Sequence, residues 1–369
     1  MNTFGFYTPS IVLSSDLPDV IIFTSHEAVD FCMSSNGYVL LQGRYYAIDG
    51  KAIVTDITSI IEHFLAGNSD NNLCDIRLEA YVGEDETDYI ETTFRVLYCD
   101  KATGLSDPSL WLRENFLTLT RSRRLAPDSF INLSWYTTER EGISFRVFCT
   151  FLDDKGQRGT YSYVHSGNGL IAHINGLMTE YVMLSDVRER VMTSLKLESV
   201  TLQSVTVRCS NRSATFFIDP TLDGIVPFYY LNCFGVPEHI SMPRTTTTKV
   251  KSDRSVALLG KTAEFYDITH SKEYEVESGP LTVDECLQVE QMFASPKVKI
   301  PSGQDVMVYE TDFDALFEVL ITDFTCEFSN SDEKLNSVKF TWRFSENRPH
   351  IEPPYTPEIF DKHFNPTFS

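Results

Sequence analysis

Short apolar runs separated by turn residues recur along this chain, and this pattern limits it to a fold with many short strands. Asn36-Gly37, Asp49-Gly50 and Asp153–Gly156 each stand between two such runs. Asn, Asp and Gly tolerate the positive φ that tight hairpin turns require. A break in the alternation at Gln203-Ser204 predicts a β-bulge. The pattern therefore predicts a mainly β chain built from tandem antiparallel β-sandwich-like modules.

A few short helices interrupt this β pattern. Apolar residues within Ile57–Leu65 follow a 3.6-residue period, with Asp56 before them and Gly67 after them. Thr282 and Glu285 have the spacing of a capping box, which predicts the start of a second helix. A weaker helical pattern near Leu177–Leu184 predicts a third.

The length of the chain, 369 residues, exceeds what one small core supports, so we expect several modules. A polar linker at Lys101–Ser109 marks the first boundary, and the stretch Ala214–Ile240 joins one half of the chain to the other. We therefore divide the chain into two β-sandwich-like modules (the first with one short helix), a third β-rich module with one helix, and an extended C-terminal arm: 1–105, 106–212, 213–344 and 345–369.

The third module contains a long stretch of β-forming residues. Thr245–Thr248, followed by two lysines, reads as an exposed strand edge or a loop. Glu264–Ile268 and Lys272–Val276 stand on either side of His270-Ser271, which predicts a hairpin that turns at this pair.

The C-terminal segment Ser345–Ser369 alternates prolines with aromatic residues. Prolines cannot join a central strand, and the aromatics are too many for an inert linker. Two interpretations stay open: the segment packs back on its own domain, or it anchors on a neighbouring subunit. For the second interpretation the interface residues are Pro353, Pro354, Tyr355, Phe360, Phe364 and Phe368.

The formal net charge is −21 and the sequence pI is about 4.7. Such a charge opposes binding to phosphate backbones and to anionic lipid, so we expect no nucleic acid or membrane partner. A basic group at Arg121, Arg123 and Arg124 is expected to form salt bridges. The N-terminus has neither a basic region nor a long apolar run, which predicts no signal peptide and synthesis in a cytoplasm. No apolar run approaches the ~20 residues of a membrane helix.

Motifs for catalysis, metals or cofactors do not emerge from the sequence. It contains no CxxC, HExxH, GxSxG, P-loop or strand-linked GxGxxG motif. His165 and His173 lie on neighbouring strand-like runs but lack an obvious third metal ligand. The eight cysteines are scattered and are expected to be reduced, buried thiols. We expect no enzyme activity, no cofactor and no metal, although a pair of catalytic carboxylates stays open as a weaker alternative.

Two portions of the chain carry a family resemblance. One is Asn36–Ile61, with its hairpin and the start of its helix. The other begins at Phe228–His239, FYYLNCFGVPEH, and continues through Tyr274–Gly279 and the helix at Thr282–Phe293 to Phe340–Phe344, FTWRF. Together these portions, about two thirds of the chain, resemble β-rich structural proteins of Bacteroidetes phages and prophages that look like tail-tip or baseplate components.

The resemblance implies a virion structural protein of the distal-tail type. Its partners would be copies of itself, arranged in a ring, and other tail proteins, and it would be located in the virion tail. The alternative is a carbohydrate-binding or adhesin-like β-sandwich protein that holds a host-surface glycan on exposed aromatics. Trp111, Trp135 and Trp342 are candidates for such stacking, but core positions suit them better.

Overall fold

The structure is a computed structural model, and it divides into two compact units. The first unit comprises Met1–Ile225, Tyr230–Ser241 and Thr282–Pro296, and the second comprises Val226–Tyr229, Met242–Leu281 and Lys297–Ser369. The expected modules 1–105 and 106–212 lie in the first unit, whereas the chain of module 213–344 is shared between both units. The described residues are 3–5, 10–67, 72–82, 88–105, 107–137, 144–166, 176–259, 262–301, 313, 316–326, 328–329 and 335–346.

The first part of the first unit is built from two small sheets. Its elements are β1 (Thr3–Phe4), β2 (Ile11–Leu13), β3 (Val20–Phe23), β4 (Ala28–Ser35), β5 (Tyr38–Tyr46), β6 (Lys51–Val54), α1 (Ile57–Gly67), β7 (Leu73–Val82) and β8 (Asp88–Leu97). Strands pair in the orders β2-β8-β7-β4-β5 and β1-β3-β6. Every pair is antiparallel except β2 with β8.

A second set of strands follows in the first unit. Its elements are α2 (Ser109–Glu114), β9 (Ser122–Leu125), β10 (Phe130–Thr137), β11 (Ser144–Asp153), β12 (Arg158–Ser166), β13 (Gly176–Met183), α3 (Leu184–Leu195), β14 (Val200–Cys209) and β15 (Arg212–Ile218). The larger sheet has the order β12-β11-β14-β15-β9, and β10 pairs with β13. Trp135 is fully buried between these strands and contacts Phe116 and Phe145 edge-on.

The hairpin turns confirm the predictions made from local sequence. Asn36-Gly37 connects β4 to β5 with φ values of 51° and 83°, and Asp49-Gly50 has φ values of 49° and 74°. The turn at Asp153–Gly156 connects β11 to β12, with φ of 72° at its glycine. Asn and Asp tolerate this left-handed region better than other side chains, and glycine adopts it without strain, so these residues fix where the strands reverse.

Helix α1 is also confirmed. It buries Ile57, Ile61 and Leu65 and ends at Gly67, so its apolar face has the predicted 3.6-residue period.

The helix predicted near Leu177–Leu184 is wrong. These residues form β13, in which every second side chain from Met178 to Val182 is buried. The helix α3 starts only at the end of this range and buries Val187 and Val191. The apolar residues of the segment fit both periods, and pairing with β10 along its whole length selects the strand.

The predicted bulge is confirmed on β14. Thr150 pairs with Ser204, and the next residue, Phe151, pairs with Leu202. Gln203 is therefore the extra residue, and Ser204 and Leu202 on either side of it lie on opposite faces of the sheet, as do their partners Thr150 and Phe151.

The remaining elements belong to both units. They are β16 (Phe228–Leu231), β17 (Pro237–Ile240), β18 (Arg244–Leu259), β19 (Thr262–Ser278), α4 (Val283–Ala294), β20 (Val298–Ile300), β21 (Phe317–Cys326) and β22 (Val338–Phe344). Strands β20-β21-β22-β19-β18 pair antiparallel in this order within the second unit. Its core contains Tyr274 stacked on Trp342, with ring centroids 4.2 Å apart, and Phe228 against Phe340.

A further hydrophobic core in the first unit contains residues from both sets of strands described above and from the turn after β16. Leu97, Leu117 and Phe234 belong to the same buried cluster, although they come from three distant stretches of the chain. The turn after β16 is held by Asn72, whose Nδ2 donates to the carbonyl oxygen of Gly235 at 2.6 Å. Gly235 has φ of 67°, and a Cβ there would lie 3.0 Å from the same Nδ2. The close approach therefore requires glycine at this position.

Strands β18 and β19 pair from Arg244 opposite Ser278 to Leu259 opposite Thr262, with one register shift between Ser255 and Val256 that leaves Tyr266 without an opposite residue. The turn predicted at His270-Ser271 is therefore wrong, because these two residues pair with Ser252 and Lys251 in the middle of the strands. The stretch at Thr245–Thr248 is a strand, as one of the two interpretations expected. Its β-branched residues favour an extended backbone over a loop.

The chain is mainly β, with several antiparallel sheets and four α-helices among the described residues, so the predicted fold class is confirmed. In the part of the chain that the structure describes, no helix combines the length and the apolarity that a membrane crossing needs. The expected arm at 345–369 lies outside the described residues from position 347 onward.

Candidate functional site

The residues expected to form the interface all lie outside the described part of the chain, so their role stays a prediction. They are Pro353, Pro354, Tyr355, Phe360, Phe364 and Phe368. Three features of the described residues are considered as candidate sites: two clusters of polar side chains around Glu238 and Glu285, and one exposed β-ribbon.

The first buried cluster surrounds the carboxylate of Glu238 on β17. Arg123, on β9, donates from Nη2 to Oε1 of Glu238 at 3.0 Å, and both side chains are almost fully buried. Asn232 donates to the same oxygen at 2.8 Å, and the hydroxyl of Tyr230 donates to Oε2 at 3.0 Å. The carboxylate therefore has one cationic and two neutral donors, which compensate for its removal from water.

Burial also changes the protonation of the groups beside this ion pair. The pKa of Tyr230 is raised well above its usual value, first by burial and then by the Glu238 carboxylate. The pKa of His239 is lowered to about 3 by burial, with a further contribution from Arg123. His239 is therefore neutral throughout the physiological pH range, which makes it unsuited to proton transfer near pH 7.

The second cluster attaches helix α4 to strand β9. Arg124 donates two hydrogen bonds to Glu285, at 2.6 and 2.8 Å, and a third to Asp219 at 3.1 Å. Glu285 also accepts from the backbone N–H of Thr282 at 2.7 Å, and the Thr282 hydroxyl accepts from the Glu285 N–H. The predicted capping box is confirmed, and its glutamate also forms the ion pair.

Neither cluster has the layout of a catalytic centre. Among the described residues, the three buried glutamates are Glu180, Glu238 and Glu285, and each lies against a histidine or an arginine. The indentation beside Arg123 encloses a free volume of about 0 Å³, whereas ligand pockets measure ~300–1,000 Å³. The polar groups here contact one another across packed interfaces.

Metal ligands do not cluster in the part of the chain that the structure describes: no three His, Cys, Asp or Glu side chains are grouped to hold an ion. His165 lies 3.3 Å from Glu180, and the other histidine considered, His173, lies outside the described residues. All eight cysteines are free; six are buried, as predicted, whereas Cys32 and Cys326 are half-buried. Burial raises the pKa of Cys74 and of Cys149 to about 11.

The tryptophans occupy core positions and do not form an exposed platform. Trp135 and Trp342 are buried, and Trp111 is half-buried and stacks on Phe234 at a centroid distance of 5.4 Å. Sequence reasoning placed them correctly in the core.

The exposed feature is the distal part of the β18–β19 hairpin. Strand β22 pairs with β19 only over Tyr274–Glu277, so from Lys249 to Glu273 the hairpin continues as a two-stranded ribbon. At ~3.4 Å per residue, this ribbon extends roughly 35 Å past the end of that pairing. Val256 and Phe265 face each other in the register, and both are more than half exposed.

Comparisons with known proteins assign no family. No family model matches the chain, and no curated protein matches it. Among solved structures, the chain is similar to the crystal structure of CBD12 from CALX1.2, with 9% identity over 54% of this chain and 76% of that chain. The TM-score of this match is 0.18, so the likeness carries no argument about fold or function.

Proposed function

We propose that this protein is a structural component of a phage tail tip or baseplate, of the distal-tail type, and that it acts through protein–protein interfaces and not through catalysis. Its partners are further copies of the same chain, assembled in a ring, and other tail proteins. Its location is the tail of the virion.

The single observation that carries this proposal is the ribbon from Lys249 to Glu273. A two-stranded ribbon is marginally stable in water when it stands alone. This one extends past the sheet that supports it and exposes apolar residues, among them Val250, Val256 and Phe265. Such surfaces mark sites where proteins associate. An assembly protein needs a projecting element of this kind, whereas the core of the second unit does not require one.

The use of buried charge supports the non-catalytic part of the proposal. The ion pairs Arg123–Glu238 and Arg124–Glu285 join strands and a helix that are distant in sequence. A catalytic acid or base must be reachable by substrate, whereas these carboxylates are at most 3% exposed.

The test is the state of the purified full chain and its position in particles. Mass photometry over a range of concentrations should show discrete oligomers, and negative-stain images should show rings. Antibodies raised against the chain should label the tail tips of particles that carry it. A monomer at every concentration that binds a glycan would contradict the proposal and support the carbohydrate-binding alternative. Turnover of a substrate that is lost on one Asp or Glu substitution would support an enzyme.

A further inference from the structure

The two strands of the ribbon carry opposite charge. From Lys249 to Leu259, β18 has three basic residues and one acidic residue, a net charge of +2. From Thr262 to Glu273, β19 has three acidic residues and one basic residue, a net charge of −2 with histidine neutral. The whole chain has a net charge of −21, so a strand with a net positive charge differs in sign from the chain as a whole. The charged residues are Lys249, Lys251, Asp253, Arg254, Glu264, Asp267, Lys272 and Glu273.

Both edges of the ribbon lack a further strand in the part of the chain that the structure describes. Strand β18 is the last strand of its sheet, and β22 covers β19 only over Tyr274–Glu277. Backbone N–H and C=O groups along an open edge form a template for another strand. The β-branched run Thr245–Thr248 and the residue Val250 favour the extended backbone that such pairing requires.

We propose that β18 of one copy pairs antiparallel with β19 of a second copy, so that the ribbons of neighbouring chains form one continuous sheet. This inference rests on the proposed assembly function and names the surface by which copies associate. Antiparallel pairing follows because β18 and β19 run in opposite directions when the two ribbons point the same way.

Charge selects this pairing over the symmetric one. Pairing of β18 with β18 would place Lys249, Lys251 and Arg254 of the two copies side by side, and like charges on neighbouring strands are destabilising. Pairing of β18 with β19 places the basic edge against the acidic edge. Each copy then uses one edge to bind the previous chain and the other to bind the next, which is a heterologous interface of the kind that closes into rings.

The exposed apolar pair of the ribbon, Val256 and Phe265, also favours a second copy of the chain as the binding partner. Val256 and Phe265 are direct cross-strand partners and are 54% and 55% exposed. The guanidinium of Arg254 lies over the Phe265 ring, 5.4 Å from its centroid. In a continued sheet, side chains of the neighbouring strand would lie beside this pair on the same face and remove part of its apolar surface from water.

The decisive experiment inverts the charges of the ribbon within one chain. The inverted variant carries Lys251→Glu, Arg254→Glu, Glu264→Lys and Glu273→Lys. It retains the ion pair between positions 251 and 273, which are 2.7 Å apart in the native chain, with reversed polarity. Circular dichroism spectra that match the wild type confirm that it folds.

We expect the inverted chain to assemble with itself and not with the wild type. Native mass spectrometry of isotope-labelled wild type mixed with unlabelled inverted chain should show the two homotypic assemblies and few mixed ones. Raising the salt to ~1 M, where the screening length is ~3 Å, should weaken this discrimination.

Two single-edge variants complete the test. Arg254→Glu changes β18 alone and Glu264→Lys changes β19 alone, and each should weaken self-assembly by about tenfold through like-charge contact across the interface. An equimolar mixture of the two should associate more strongly than either variant alone, because the intact β18 of one variant meets the intact β19 of the other.

The outcomes separate the two proposals. If both single-edge variants assemble as the wild type does, or if inverted and wild-type chains mix at random, the ribbon pairing is overturned while assembly as the function stands. Random mixing is also expected if the lysines of β18 serve only to protect an exposed strand edge from association, and that result would overturn the ribbon pairing. A wild-type chain that stays monomeric at every concentration overturns both proposals.

Discussion

Breaking the ion pair between Arg123 and Glu238 from one side should destabilise the first unit more than the loss of a surface ion pair, and Glu238→Gln tests this. The substitution keeps the shape of the side chain but leaves the guanidinium of Arg123 buried without a carboxylate. Breaking a buried pair from one side costs about 3–5 kcal/mol. Arg123 keeps Thr118 and Thr120 as acceptors, at 2.8 and 3.1 Å, so we expect a loss near the lower limit, ~3 kcal/mol.

The converse substitution, Arg123→Met, should cost more, ~4 kcal/mol, because it leaves the Glu238 carboxylate with only the neutral donors Tyr230 and Asn232. The double variant should cost less than the sum of the two, since the groups act as one unit. The matched control is Glu189→Gln on the exposed side of α3, which should change stability by no more than ~0.5 kcal/mol.

Hydrogen exchange measured by mass spectrometry is the appropriate assay, because the chain has two units and one unfolding midpoint would mix them. Peptides that contain β9 and β17 report the local free energy of opening. The reasoning is refuted if Glu238→Gln leaves the protection of both peptides within the range of the Glu189→Gln control.

Three further predictions concern the other clusters and the C-terminal segment. Glu285→Gln should keep the cap of α4 but lose the ion pair with Arg124. Thr282→Ala should lose only the cap, which costs ~1 kcal/mol of the free energy of unfolding. Urea denaturation compares the two variants, and equal losses of stability would contradict the dual role of Glu285. His239 has a folded-state pKa of about 3, below its unfolded value of ~6.5, so the unfolded chain takes up the proton first. Stability should therefore fall by up to ~1.4 kcal/mol per unit as pH drops from ~6.5 towards 3, and His239→Gln should flatten this slope in urea titrations. Removal of Ser345–Ser369 should raise the concentration needed for assembly while leaving the melting temperature nearly unchanged; an equal effect on both would mean that the segment is part of the core.

The features that sequence reasoning found are those with local causes. The turn at Asn36-Gly37 and the cap at Thr282 depend on residues within four positions of each other, and both are present. The strand at Gly176–Met183 was predicted as a helix because its apolar spacing fits either period, and a long-range pairing with β10 decides between them. The sequence predicts a turn at His270-Ser271 from neighbouring residues alone, whereas the pairing of these residues with Ser252 and Lys251 depends on contacts that the local sequence does not show.

The buried clusters could not be predicted, because their members are far apart in the chain. Arg123 and Glu238 are separated by 115 residues, and no local pattern connects them. One signal was available. Glu238 and His239 follow a long apolar-aromatic run with no other charge, and a carboxylate in such a setting needs a buried partner. The three arginines at 121–124 were expected to form salt bridges, and Arg123 and Arg124 do so.

The path of the chain has a consequence for synthesis. The first unit receives β17 and α4 from residues beyond 229, and these elements carry the carboxylates that neutralise Arg123 and Arg124. A nascent chain of the first 225 residues therefore lacks both glutamates, which leaves Arg123 without a carboxylate and Arg124 with Asp219 alone. Its last steps of folding must wait until about four fifths of the polypeptide has left the ribosome, and a gene fragment that stops at residue 225 should yield aggregated protein.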